Sequence, residues 1–203
     1  MKKRLFYFSV MSLLVALAFA CSKDEDDKPV VITAAGNIQA ALDEYRALLG
    51  PNNGGTAGSQ AGGRREINWD GVPDNLSAPY FLPNDFFNTN APNRARGAVF
   101  STPGAGVQVS ADSNNPDGAA PSFGNINPEY VQSFPAFSAE RVFSPIGSNI
   151  VDLRFYVPGS NTPAVVRGFG AVYIDVDRQE NTAFEYFDIN GRSLGVYATP
   201  VLN

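Results

Sequence analysis

The clearest helical period in the chain runs from Asn37 to Leu49 (NIQAALDEYRALL), where Ile38, Ala41, Leu42, Tyr45, Leu48 and Leu49 recur at i, i+3, i+4 and i+7. Gly36-Asn37 can open this helix with Asn37 as its cap, and Gly50-Pro51 stops it. Its apolar stripe is expected to pack on the domain; an isolated partner-binding helix is the alternative. From Arg96 onward the period changes to two. Ala98 to Ser101 and Gly106 to Ala111 read as short strands split by Pro103-Gly104, and Arg141 to Phe143 as an edge strand. Asn149 to Val157 sets Val151, Leu153, Phe155 and Val157 against Asp152 and Arg154. Arg167 to Asp177 sets Val172, Ile174 and Val176 against Tyr173, Asp175 and Asp177. Thr182 to Ile189 puts Phe184, Tyr186 and Asp188 on one face, and Asn190-Gly191 signals a type I′ hairpin leading into Ser193–Ala198.

Between these periods the chain is rich in turn residues. Pro51 to Gly63 is a Gly/Asn/Ser loop, and residues 74 to 96 carry Pro79, Pro83 and Pro92 among Tyr80, Phe81, Phe86 and Phe87. The latter stretch reads as an ordered loop pinned by aromatic side chains. Many short antiparallel strands joined this way predict a mainly β fold: an antiparallel β-sandwich, jelly-roll-like, with one N-terminal helix. The organisation expected is a signal over 1–20, a tether over 21–35, the helix over 36–50, the Gly-rich loop over 51–63 and the sandwich over 64–203. The sequence stops at Val201-Leu202-Asn203, directly after a strand, so the sandwich is expected to lack its last strands and to show an open edge.

The N-terminal pattern is different in kind. Lys2, Lys3 and Arg4 precede an apolar run from Leu5 to Ala20, broken only by Ser9 and Ser12. As a helix that run reaches about 24 Å, short of the roughly 20 residues that a membrane span needs, and suits a cleaved signal. Ala18-Phe19-Ala20-Cys21 resembles the lipobox of bacterial lipoproteins, with Ala18 where Leu is more usual. The acidic run Ser22-Lys23-Asp24-Glu25-Asp26-Asp27 resembles the surface-export signal of lipoproteins from the Bacteroidetes group. The resemblance implies lipidation at Cys21 and a home on the outer membrane, at the cell surface. Several acyl chains would hold there, each buried CH₂ adding about 0.8 kcal/mol. The plainer readings are a secretory signal with a stray cysteine and an acidic run that is only a solvated spacer.

Composition narrows the chemistry. After Lys28 there is no lysine, histidine, cysteine or methionine. That excludes His-activated nucleophiles, the usual zinc ligand sets, Schiff-base chemistry and disulfides in the remaining chain. Carboxylates, Tyr, Ser/Thr and Arg are left. An enzyme built from these would most naturally be a carboxylate glycoside hydrolase, and a bound metal would be a hard cation held by oxygen, Ca²⁺ first. The formal net charge is −5, and loss of Lys2, Lys3 and Arg4 with the signal makes the rest more acidic still. Nucleic acid is therefore not expected as a partner.

Three constellations could carry function. Trp69 with Asp70, Asn68 and Glu66 can form a sugar site, the indole stacking on a ring face while the polar groups bond hydroxyls. The alternative is a Trp that plugs the sandwich end, with Arg64 or Arg65 paired to Asp70. Asp112, Asn114 and Asp117 offer oxygens on a Gly-bearing loop, a possible Ca²⁺ cradle or simply an Asx-rich turn. Asp175 and Asp177, one strand repeat apart, are about 6.6–7 Å from each other along the backbone; they can share a cation, act as an acid pair, or face water. Asp70 and Asp74 are a second candidate acid pair.

Gly63 to Pro73 (GRREINWDGVP) resembles a signature in a family of secreted bacterial proteins of unassigned function. Phe100-Ser-Thr-Pro-Gly, Ser148-Asn-Ile, Val157-Pro-Gly, Gly168-Phe-Gly-Ala-Val and Tyr186-Phe-Asp-Ile-Asn-Gly resemble it too. The last two are also similar to β-sandwich modules of the galactose-binding-like, jelly-roll type. The resemblance spans most of residues 36 to 198; it implies a fold and no established activity. The expectation is a surface lipoprotein with a non-catalytic binding domain, its ligand a glycan and its metal a structural calcium. The alternatives are a carboxylate glycoside hydrolase and an adhesion or scaffold protein that binds an envelope protein.

Overall fold

The computed structural model describes residues 28–201. The signal, Cys21 and the acidic run lie outside the described residues. Helix α1 spans Gln39–Leu49. Its start differs slightly from the expected one. Ile38 occupies the cap position, and the Asn37 side chain accepts the Gln39 N–H at 3.3 Å, one residue early. Gly50 ends the helix with φ 91°, a conformation that suits glycine, and its N–H closes on the Arg46 carbonyl at 3.0 Å. The stripe packs on the domain, with Ala41, Leu42, Tyr45 and Leu49 half-buried, while Leu48 is 55% exposed. Tyr45 lies across Gly168 and Gly170; a Cβ on Gly170 would stand 3.2 Å from its ring.

Six short strands form three antiparallel pairs among the described residues. β1 (Ala98–Ser101) pairs with β4 (Asp152–Phe155), with Phe100 opposite Leu153. β2 (Gly106–Val109) pairs with β3 (Phe143–Ile146), with Val109 opposite Phe143. β5 (Ala183–Phe187) pairs with β6 (Ser193–Ala198). A one-turn helix α2 lies at Tyr130–Ser133. The fold is β-rich, with small antiparallel sheets and few helices, as the alternating pattern required. No helix of the described residues is long and apolar enough to cross a membrane.

The core gathers where the first two ladders meet. Ala98, Phe100, Val107 and Val109 bury their side chains with Val72, Leu82, Phe86 and Phe87. A smaller cluster holds Ala78, Phe123 and Val142. Every buried residue described falls between Val72 and Val142. The 74–96 segment thus supplies Phe86 and Phe87 to the core, while Tyr80 and Phe81, also expected to pin it, are 47% and 46% exposed.

Two local expectations are corrected. Residues 167–177 form no strand: Asp175 takes φ 60°, which breaks an extended run, and the segment is held by side chains instead. Phe169 and Tyr173 pack on Phe184, with centroids 5.5 and 5.3 Å away. The hairpin before β6 is also not type I′. Positive φ falls on Gly191 and not on Asn190, while the Gly191 N–H bonds the Asp188 carbonyl at 3.0 Å and the Asp188 N–H bonds Arg192. A type I′ turn needs positive φ at both central residues. The Asp188 carboxylate stabilises this alternative by accepting the Asn190 and Arg192 N–H groups.

Candidate functional site

The Gly63–Pro73 segment is fixed in place by a dense set of contacts. A one-turn 3-10 helix at Trp69–Gly71 is capped by Asn68, whose side chain accepts the Asp70 N–H at 2.9 Å. That turn directs the indole inward. One face of Trp69 lies on Phe143, with centroids 4.4 Å apart and planes 9° apart, and Phe87 and Phe100 meet it at 5.4 and 5.5 Å. One face of the indole expected to stack on a sugar is engaged by Phe143, so the Trp69 ring packs on the core as in the alternative reading, while the Arg–Asp70 pairing of that reading is absent. Glu66 is likewise committed. It receives Arg46 Nε and Nη2 at 3.0 and 2.9 Å and Arg64 Nε at 2.6 Å, tying α1 to the signature. The Arg46 hydrogen bond, opposed by burial and aided by Arg64, holds the Glu66 carboxyl below its ordinary value.

Asp70 pairs with neither Arg64 nor Arg65. Its Oδ1 accepts the backbone N–H groups of Arg141 and Glu140 at 2.9 and 3.2 Å. Burial pushes its carboxyl up, but those amides, with Ser138 and Asn68, outweigh burial and hold it below the ordinary value. Arg141 itself is only 4% exposed. Its Nη2 reaches Asp74 Oδ1 at 2.5 Å and Asp112 Oδ2 at 2.6 Å, and its Nη1 donates to the Ser110 carbonyl at 2.9 Å. Three aspartates from two segments therefore converge on one residue, Asp70 on its backbone N–H and Asp74 and Asp112 on its guanidinium. The sequence reading placed Arg141 on an edge strand and missed this role; an arginine next to the apolar Val142-Phe143 was the available signal.

A cleft of about 200 Å³ opens beside this hub, bordered by Asp70, Asp112, Asn114 and Glu140. Its acceptors are largely taken. Asp112 Oδ1 accepts the Asn114 N–H and its Oδ2 accepts Arg141, while Glu140 Oε2 accepts both the N–H and the hydroxyl of Ser113. Asp117 is exposed, and its N–H closes an Asx turn on Asn115. Ca²⁺ takes six to eight oxygen ligands, carbonyls and waters included, and here the Asp112 and Glu140 carboxylates already accept protein donors. Among the described residues no group of three or more acidic side chains is placed to hold a metal ion. Asp175 and Asp177 are exposed on the segment that forms no strand, so the strand spacing expected between them is absent. The Asp70/Asp74 acid pair is also spoken for, by backbone amides and by Arg141.

A second cleft, of about 290 Å³, lies between residues 85–90 and 159–161. Asn88, 7% exposed, builds it by clamping the two loops: its Nδ2 donates to the Ser160 carbonyl at 2.8 Å and its Oδ1 accepts the Gly159 N–H at 3.2 Å. The Asn88 and Thr89 N–H groups fold back on the Asp85 carbonyl, and the Ser160 N–H and hydroxyl both bond the Val157 carbonyl. Gly159, at φ 80°, lets the 54–58 loop close in; a Cβ there would meet Ala57 Cβ at 3.0 Å. Asp85, Asn90 and Asn161 stand exposed at the rim, with no side-chain hydrogen bond among the described residues. The signal for this site was the placing of polar Asp85 and Asn88-Thr89-Asn90 around the inward pair Phe86-Phe87. Its other wall comes from more than 70 residues away, which no local pattern reveals.

No known protein family, curated protein or solved structure matches the chain.

Proposed function

We propose that the protein is a lipid-anchored lipoprotein of the outer-membrane surface whose domain binds a hydroxyl-rich ligand of the glycan class without catalysing a reaction. The observation that carries the binding half is the free rim of the second cleft. Asp85, Asn90 and Asn161 present one carboxylate and two carboxamides, uncommitted, beside a preformed two-loop clamp. Carboxamides both donate and accept, as sugar hydroxyls do. Of the acid pairs considered for hydrolysis, Asp70 and Asp74 are held by Arg141, and Asp175 and Asp177, though exposed, lack the strand expected to set their spacing. The anchor rests on Cys21 and its flanking residues. The finer architecture belongs to the same proposal: the β1–β4 and β2–β3 ladders share one core and read as halves of a jelly-roll-like sandwich.

Two measurements test it. Cys21→Ser should move the full-length protein from the membrane fraction to the soluble one and remove the acyl mass from its N-terminus. The protein should bind oligosaccharides on a glycan array, and Asn161→Ala should weaken that binding while the circular dichroism spectrum stays unchanged. Array binding unaffected by changes at Asp85, Asn90 and Asn161 would move the site elsewhere.

Adhesion to an envelope protein has one observation in its favour. Phe187, Ile189, Leu194 and Val196 of the β5–β6 hairpin and its turn are 55%, 66%, 61% and 64% exposed. A partner cross-linked in envelope extract and lost on Phe187→Ser with Val196→Ser would favour this second reading.

A further inference from the structure

We infer that the cleft between residues 85–90 and 159–161 admits uncharged or amino-bearing sugars and rejects acidic ones, with Asp85 setting the selection. This rests on the binding reading above and names its ligand class. Asp85 is the one ionisable side chain on the lining. It is exposed and has no ion-pair partner among the described residues. The neighbouring cation on the same loop, Arg94, lies 4.2 Å above the Phe86 ring, which gives its guanidinium a separate contact. The lining residues themselves therefore carry a single negative charge, with no cation among them.

The chemistry follows from that charge. A sugar hydroxyl donates to the Asp85 carboxylate, and bonds to an ionised acceptor are roughly twice as strong as neutral ones. The carboxamides of Asn90 and Asn161 can complete the set by accepting from one hydroxyl and donating to its neighbour. An amino sugar adds an opposite charge. A uronate or sulfated sugar instead brings a second anion against the first, with no guanidinium or ammonium on the lining to receive it. A volume of about 290 Å³ lies at the lower edge of small-molecule sites, which run from about 300 Å³ upward. The cleft thus suits a single ring, where one substituent decides acceptance.

The test uses the full-length protein on matched oligosaccharides that differ only at the C5 or C2 substituent: neutral hexosides, amino-hexosides and uronates. The expected result is that uronates bind at least about tenfold more weakly than neutral partners, the gap shrinking as salt rises. Asp85→Asn should weaken neutral-sugar binding somewhat and narrow that gap to within about twofold, because the carboxamide keeps one acceptor oxygen but removes the charge. The Asp85 side chain holds no part of the fold, so the variant should keep the wild-type melting temperature. Uronates binding as tightly as neutral sugars, or a gap unchanged by Asp85→Asn, would overturn the inference while leaving a glycan-binding domain. Failure to bind any of the three classes would remove the binding reading itself, and this inference with it.

Discussion

Trp69 lies face to face on Phe143, their ring centroids 4.4 Å apart and their planes inclined by only 9°. The contact joins the 3-10 turn of the arginine-rich signature to strand β3. It also engages one face of the most conspicuous side chain of the sequence, which is half-buried against the core. Aromatic pairs of this kind add about 0.5–1.5 kcal/mol beyond the area they bury.

Trp69→Ala should therefore act on stability. Removing a packed indole costs about 3–5 kcal/mol, to be read as a lower midpoint in urea denaturation. The Trp69→Ala and Phe143→Ala changes should be less than additive in combination, because each removes the same stack. A midpoint left at the wild-type value would refute the packed role.

Arg141 should be the most sensitive charged position. Arg141→Met leaves Asp74 and Asp112 without their cation and the Ser110 carbonyl without its donor. Asp74 and Asp112 are 39% and 25% exposed and can be rehydrated, so the cost falls mainly on the unpaired Ser110 carbonyl and lost packing, about 1–3 kcal/mol. Restoring neutrality by adding Asp74→Asn and Asp112→Asn should recover part of that loss. Equal stability of Arg141→Met and wild type, measured by thermal unfolding, would rule out the hub.

Acid should weaken the fold through Asp70 and Glu66. Both carboxyls titrate lower in the folded protein than in the unfolded chain, where ordinary values are about 3.9 for Asp and 4.3 for Glu. Their stabilisation is complete above those values and is lost as pH falls through the lower folded ones. The melting temperature should fall steeply below about pH 4. The difference between wild type and Asp70→Asn should shrink over the same interval. A constant difference down to about pH 2 would contradict the linkage.

Tyr45 predicts the alkaline limb. Burial, with a smaller contribution from Tyr186, pushes its phenol up to about 12. A raised folded value means that its stabilisation is present below the unfolded value of about 10 and is lost as pH rises through the folded one. Its hydroxyl is buried without a partner among the described residues, so Tyr45→Phe should keep or raise the melting temperature at neutral pH. Ultraviolet titration of phenolate absorbance should lose its highest-pH step in that variant. A marked fall in melting temperature would mean that the hydroxyl has a partner.

Local features were legible in the chain because local forces decide them. The α1 stripe and its stop at Gly50 were there, as were β1 and β6 at the expected bounds and β2, β4 and β5 within a few residues. Helical period, a residue tolerant of positive φ and simple alternation act over a few neighbours, so a linear reading can weigh them. Alternation misled at 167–177, where Gly168 and Gly170 press on Tyr45 and Asp175 takes positive φ. There the side chains pack in alternate directions without any backbone ladder.

The sequence by itself determined the chemical inventory: a lone cysteine after an apolar run, and no lysine or histidine beyond Lys28. Only the tertiary structure decided which polar groups are spent and which are free. Asp70, Asp74 and Asp112 are drawn to Arg141 across 71, 67 and 29 residues of chain, while Asp85, no different in composition, is left at a cleft rim. Charge pairing inside a fold depends on distances in space, because desolvating a carboxylate is tolerable only where a donor already waits. Those distances are set by how the core closes.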